Sequence, residues 1–153
     1  MRSVEPWVAA PLETFLAESS ARLTLLMTAS GQVIAQHGFT RSLDVMTAAA
    51  LGAGIVASTE ALAQMIDAPR FVSLVHQGAR QHVFLSGFET PRGRWIGLVV
   101  FDGESTTGLV QLFFDRLVQE LAAAAPPAAP APRALPQDFE KDLDQSLRAL
   151  FGR

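Results

Sequence analysis

The side chains best suited to acid–base or metal chemistry in this chain are three histidines, His37, His76 and His82. Each lies near a predicted strand end or turn, and no two of them show the H-x-H or H-x-x-x-H spacing of a metal site. The chain has no Cys, which removes disulfides, thiol catalysis and thiolate metal ligands. We therefore predict no catalytic residue, no metal site and no cofactor.

One glycine pair looks like a nucleotide-binding motif. Gly52, Gly54 and Ala57 fit G-x-G-x-x-A, the dinucleotide fingerprint. That motif needs a β-strand before the glycines and an acidic residue at the end of the next strand. Residues 47–50 read Thr-Ala-Ala-Ala, which favours a helix, and the next predicted strand ends without Asp or Glu. No Gly-Lys pair occurs, so a Walker P-loop is excluded.

Charge and hydropathy narrow the class of protein. The net charge of the 153 residues is −3, and the basic residues are scattered, so we predict no nucleic-acid partner. The longest uncharged stretch of the folded part, residues 45–59, falls short of the roughly 20 residues that span a bilayer. The N-terminus carries Glu5 and Pro6 where a signal peptide would be apolar. We expect a cytoplasmic protein without membrane insertion.

The composition changes sharply towards the C-terminus. Residues 122–136 hold five of the nine prolines, and almost every other residue there is Ala. We predict a domain over residues 1–125 and an Ala/Pro linker over residues 126–136, extended to roughly 30 Å at about 3.1 Å per residue. An amphipathic tail helix over residues 137–153 follows.

Within the domain, the apolar pattern alternates between helical and strand periods. Asp44 is placed to begin a long helix, and Ser105 or Thr106 to begin the last one. The most apolar strand, residues 95–101, is predicted to be central. The expected order is α-β-β-α-β-β-β-α, an α+β fold with helices packed on a five-stranded sheet. The predicted elements are helix 12–19, strands 23–28 and 33–35, a helix from residue 44 to about residue 65 or 66, strands 71–76, 81–88 and 95–101, and a final helix to about residue 121.

The long Ala-rich helix has two sides on a helical wheel. We expect the side with large apolar residues to cover the sheet, namely Leu51, Ile55, Leu62 and Ile66. Small side chains on the other side would let a partner approach closely. Tight packing inside the chain is the alternative explanation for so many alanines. The second side carries Met46, Ala50, Ala53, Ala57, Glu60 and Gln64.

The tail is the second informative element. Its large apolar residues form one helical stripe, with acidic residues at its start and Arg148 near its end, the order that the helix dipole favours. So short a helix is marginal alone in water, so we expect it to dock in a groove of a partner. Permanent packing on its own domain is the alternative. The stripe consists of Phe139, Leu143, Leu147, Leu150 and Phe151.

Several stretches together resemble the roadblock / dynein light chain family, and within it the bacterial MglB type. Residues 25–35 (LLMTASGQVIA) resemble the first hairpin of that family, and residues 50–66 (ALGAGIVASTEALAQMI) resemble its central helix. Residues 71–78 (FVSLVHQG) resemble its third strand, and residues 99–110 (VVFDGESTTGLV) resemble the entry to its last helix. The acidic tail ending in Leu-Phe is similar to the mobile C-terminal helix of MglB proteins.

The resemblance implies a roadblock-like three-layer sandwich that forms a homodimer with its central helices side by side. It also implies a GTPase-activating protein for a small Ras-like GTPase of the MglA type, acting in cell polarity or motility. MglB proteins remodel the switch regions of that partner and insert no arginine finger, so the chain would have no catalytic site of its own. Ala53 and Ala57 match small positions on the GTPase-facing helix, and the apolar stripe of the tail matches a second contact.

Alternatives remain open at this point. Roadblock domains also serve as scaffolds that do not accelerate hydrolysis, and an α+β ligand-sensing domain would share the strand order. MglB proteins commonly have Asn where this chain has Ile55; if that Asn contacts the GTPase, activation by this chain would differ or be absent. If an arginine finger were used, the loop candidates would be Arg41, Arg80, Arg92 and Arg94.

Overall fold

A computed structural model describes residues 2–3, 5–38, 43–69, 73–126 and 144–150. The chain begins with β1 (Arg2–Ser3) and a 3-10 turn (Pro6–Val8), followed by α1 (Ala9–Ser19). The hairpin β2 (Leu23–Thr28) and β3 (Val33–Gly38) leads to the long helix α2 (Val45–Met65). Strands β4 (Leu74–Gln77), β5 (His82–Thr90) and β6 (Gly93–Phe101) precede α3 (Thr107–Ala124). Residues 144–150 form a further helix, here called the tail helix.

The strands form one antiparallel sheet in the order β1-β3-β2-β6-β5-β4. The predicted α+β class and its five strands are confirmed, and β6 lies centrally between β2 and β5. The two-residue strand β1 was not predicted. It pairs Arg2 with Gln36 and Ser3 with Ala35, and a segment so short shows no apolar alternation that could indicate it.

Side chains alternate across the strands and build a separate core on each face of the sheet. On one face, Leu26, Phe84 and Val99 pack with Phe15 of α1 and Phe114 of α3. On the other face, Leu25, Leu85 and Leu98 pack with Ala49 and Ala53 of α2. The result is the three-layer arrangement that the family resemblance implied, with α1 and α3 on one side of the sheet and α2 on the other.

Two side-chain caps explain where the long helices begin. The Asp44 carboxylate accepts hydrogen bonds from the Thr47 backbone N–H at 3.1 Å and from the Thr47 hydroxyl at 2.7 Å. These bonds hold the pKa of Asp44 below its ordinary value. The Thr106 hydroxyl accepts from the Leu109 N–H at 3.1 Å and caps α3. Both starts agree with the sequence-based prediction, because Asp and Thr satisfy backbone donors that the helix leaves unpaired.

Candidate interaction surface on helix α2

Helix α2 lies on the sheet through its smallest residues. Ala49, Gly52, Ala53 and Ala63 are the buried residues of the helix. A Cβ atom at Gly52 would come 3.3 Å from Leu98 Cδ1 and 3.4 Å from Leu85. The lack of a side chain at this position lets the helix backbone approach the sheet closely.

This packing contradicts the predicted orientation of α2 for three of the four residues that were expected to cover the sheet; the fourth, Ile55, is half-buried and packs against the core beneath the helix. Leu51, Leu62 and Ile66 are 63%, 53% and 61% exposed, so the prediction that they face the sheet is wrong. Ala53 is buried in the core, so its predicted place on the open flank is also wrong. The physical reason is volume: a helix that lies close to a sheet has room for Ala and Gly beneath it but not for Leu.

The exposed residues of α2 form a continuous uncharged surface, here called the outer face. Four of the six positions predicted to face a partner belong to it: Met46, Ala50, Ala57 and Gln64. The fifth, Glu60, is half-buried and points towards the sheet. The complete outer face consists of Met46, Thr47, Ala50, Leu51, Gly54, Ala57, Ser58, Ala61, Leu62, Gln64 and Met65.

The hydropathy of α2 is high for a helix with so much exposed surface. The helix has 21 residues, and its most apolar 18-residue window has a mean hydropathy of 1.5. Only 17% of that window is buried. Length and composition therefore satisfy the criterion for a membrane span, contrary to the expectation that no segment does. A single helix that meets this criterion by length and composition is not enough to indicate a membrane span. Here the helix packs on a sheet with its own apolar core.

A groove runs between the outer face and strand β4. It has a volume of about 510 Å³, and its lining includes Leu51 and Ile55 from the helix and Leu74 and His76 from the strand. Within the part of the chain that the structure describes, β4 pairs with β5 alone and forms the edge of the sheet. The groove therefore combines an apolar helix side with an open strand edge, two features that accept another chain.

The glycines of the G-x-G-x-x-A segment lie in the interior of α2. Gly52 is buried against the sheet, and Gly54 has open space where its side chain would be. A phosphate-binding glycine loop lies before the first turn of its helix, where the backbone N–H groups are free. Inside α2 those N–H groups are used by the helix itself, which excludes the dinucleotide interpretation of this motif.

The arginine candidates have different environments. Arg94 bridges two carboxylates, with 2.7 Å from Nη2 to Glu60 Oε1 and 2.9 Å from Nη1 to Glu89 Oε1. Arg80 and Arg92 are exposed, and Arg41 lies outside the described residues. The ion pairs occupy the Arg94 guanidinium, so Arg94 is not poised to reach a nucleotide on another protein.

The histidines do not come together in a site. Nδ1 of His37 and Nδ1 of His82 are buried without a hydrogen-bond partner, whereas His76 is exposed beside the groove. Among the residues that the structure describes, no group of three His, Asp or Glu side chains could hold a metal ion.

The tail is described only in part. Residues 144–150 are helical and exposed, with Leu147 and Leu150 at 43% and 78% exposure. Phe139, Leu143 and Phe151 lie outside the described residues, as do residues 127–136 of the linker. Binding of the tail to a partner therefore stays a prediction, and so do the domain boundaries.

Comparisons with known proteins fit this architecture. Residues 11–89 match the Roadblock/LC7 domain model. MglB from Myxococcus xanthus is 27% identical with a TM-score of 0.71, over 78% of this chain and 95% of that one. The gliding protein MglB from Thermus thermophilus is 31% identical with a TM-score of 0.68, over 78% and 88%. An MglB with tetrameric arrangement is 30% identical with a TM-score of 0.67, over 77% and 87%. No curated protein sequence matches the chain.

The matched region runs from α1 into β5 and includes the whole of α2. It thus contains the outer face and the groove beside β4. The likeness to MglB proteins supports a regulator of the roadblock family. By fold, by the matched family model and by identity to the Thermus protein, this chain belongs to the roadblock/LC7 family.

Proposed function

We propose that this protein is a homodimeric GTPase-activating protein for a small Ras-like GTPase of the MglA type, acting in the cytoplasm in cell polarity or motility. The observation that carries the proposal is the outer face of α2. It is continuous, uncharged and exposed in the single chain. Large exposed apolar surfaces of globular proteins commonly mark interaction sites, so we infer that protein partners bind the outer face.

The side of the outer face next to β4 is proposed to bind a second copy. Leu51 and Ile55 line the groove there, and within the described residues β4 pairs on one side only and leaves its other edge open. A two-fold arrangement would place the same groove of each copy against the other and cover both. The tetrameric arrangement of a 30% identical MglB supports self-association.

The remainder of the outer face is proposed to bind the GTPase. Ala50 and Ala57 leave a smooth surface there, flanked by Met46 and Gln64. Ala53 is removed from this set because it is buried. The apolar stripe of the tail is proposed as a second contact, reaching the GTPase across the Ala/Pro linker.

The proposed mechanism uses positioning and no catalytic group of this chain. Phosphoryl transfer gains its rate from orientation and from stabilisation of charge around the phosphate. The outer face carries no charge of its own, and Arg94 is held by two carboxylates. Binding would therefore act by holding the switch segments of the GTPase so that its own groups reach the attacking water.

The test measures phosphate release by a purified MglA-type GTPase from the same genome, with and without this protein. We expect the wild-type chain to accelerate phosphate release. Ala57→Arg should lose binding to the GTPase, because the long, positively charged Arg side chain would protrude from the smooth surface. Ala123→Arg is the matched control, since Ala123 is also exposed on a helix, but on α3. Equal binding by Ala57→Arg and wild type would reject this face as the GTPase site.

A non-activating scaffold is the second candidate function. Ile55 favours it, because MglB proteins commonly have Asn at this position and Ile55 lies half-buried in the groove. A scaffold would bind the GTPase without changing the rate of phosphate release. The same assay, combined with a binding titration, separates the two functions.

A further inference from the structure

The two halves of α2 are held on the sheet in different ways. In the first half, Ala49, Gly52 and Ala53 are buried against strands. After Val56, the buried residue of the helix is Ala63 alone. A cleft of about 20 Å³ lies between the helix and the sheet there, lined in part by Val56 and Thr59 above and by Leu85 and Gly87 below. Apolar packing therefore fixes the second half of α2 less tightly than the first.

Two ion pairs made by Arg94 lie at this cleft. Arg94 lies opposite Glu89 on neighbouring strands, and its guanidinium contacts both Glu89 and Glu60 of the helix. Glu60 is the one ionisable residue among residues 45–65. The side chains of Arg94 and Glu60 are only 22% and 31% exposed, so water screens this pair less than it screens Glu89, which is 68% exposed.

The path of the Arg94 side chain depends on Gly87. A Cβ atom at Gly87 would lie 2.6 Å from Arg94 Nη2 and 3.0 Å from its Cζ. Glycine at this position leaves the guanidinium room to cross the sheet surface and reach the helix. The rigid fork of the guanidinium lets a single side chain hold both carboxylates at once, which the ammonium group of Lys would not do in the same geometry.

We propose that Arg94 is a positioning residue that fixes the C-terminal half of α2, through Glu60, in the orientation that a partner recognises. Ala61, Leu62, Gln64 and Met65 are presented by this half of the helix. The inference rests on the proposed function, because the partner in question is the GTPase. It assigns to Arg94 a role inside this chain and none at the nucleotide.

The test compares Arg94→Gln and Glu60→Gln with Glu89→Gln, the matched control that leaves the Arg94–Glu60 contact in place. Hydrogen exchange of the backbone amides of residues 60–66 reports the position of the helix in the free protein. We expect Arg94→Gln and Glu60→Gln to exchange about tenfold faster there, and Glu89→Gln to stay within about twofold of wild type. The double variant Arg94→Gln/Glu60→Gln should exchange no faster than either single variant.

Affinity for the GTP-loaded MglA-type GTPase is measured at a temperature where circular dichroism shows every variant folded. A residue important only for stability would lower Tm and leave this affinity unchanged, whereas we expect about tenfold weaker binding by Arg94→Gln and Glu60→Gln. Exchange or affinity equal to that of Glu89→Gln would overturn the inference. If wild type itself fails to bind, the proposed function falls, and the exchange measurement still decides whether Arg94 positions the helix.

Discussion

Leu51→Glu tests whether the groove beside β4 is a self-association surface. Leu51 is 63% exposed in the single chain and lines that groove. Full burial of a Leu side chain is worth about 1.5–3 kcal/mol, so covering the exposed part returns about 1–2 kcal/mol for each copy. A symmetric dimer counts this contribution twice, which gives about 2–4 kcal/mol. The substitution should therefore raise the dimer dissociation constant by about 30- to 1,000-fold.

The assay is sedimentation equilibrium over a range of protein concentrations. Leu112→Glu is the control, because Leu112 is 54% exposed on α3 and lies away from the groove. Leu and Glu have similar helix propensities, so neither substitution should unfold its helix. A dimer that survives Leu51→Glu unchanged would refute the assignment of the groove, and so would equal weakening by Leu112→Glu.

Two further predictions concern the fold that carries this surface. Gly97→Ala would place a Cβ atom against two ring carbons of Phe114, closer than van der Waals contact allows. The free energy of unfolding, measured in denaturant, should therefore fall by about 1–3 kcal/mol. An unchanged free energy of unfolding would contradict this packing. The Glu104 backbone N–H and then Arg22 hold the pKa of Asp102 below its ordinary value of 3.8. The stability that comes with a lowered folded-state pKa is fully present above the ordinary value and is lost as the pH falls through the folded pKa. Below pH 3.8 the stability of wild type should therefore decline more steeply than that of Asp102→Asn, as measured by denaturant midpoints, and parallel declines would count against the contact.

The sequence was informative wherever a local rule decides the structure. Residues 23–28 were predicted as a strand with the observed bounds, because a largely apolar run is followed there by Ala-Ser-Gly, a turn sequence. Asp44 indicated the start of α2 because its side chain can satisfy a free backbone N–H. The strand β1 gave no such signal, since its formation depends on pairing with β3.

The face of α2 was predicted wrongly because hydropathy alone was used to orient the helix. Leu51 and Leu62 are more apolar than Ala49 and Gly52, yet the smaller pair faces the sheet. The deciding quantity is the distance between helix and sheet, which depends on the whole packed layer and cannot be read from a wheel. The sequence did contain a signal for the environment of Glu60. A single charged residue in an otherwise apolar helix indicates an ion pair, because a partly buried charge needs a partner.

A comparison of α2 with α3 explains why the outer face points to function rather than to folding. Both helices pack on the same sheet through one buried side. Folding therefore requires each of them to have one apolar side, and it places no requirement on the composition of the exposed side. The exposed side of α3 carries Asp115 and Arg116, as is usual where a helix faces water. The exposed side of α2 carries no charge, and its large side chains include Met46 and Met65, which are 79% and 82% exposed. Folding does not require this difference between the two helices. Its simplest physical explanation is that a partner covers the outer face of α2 in the functional assembly.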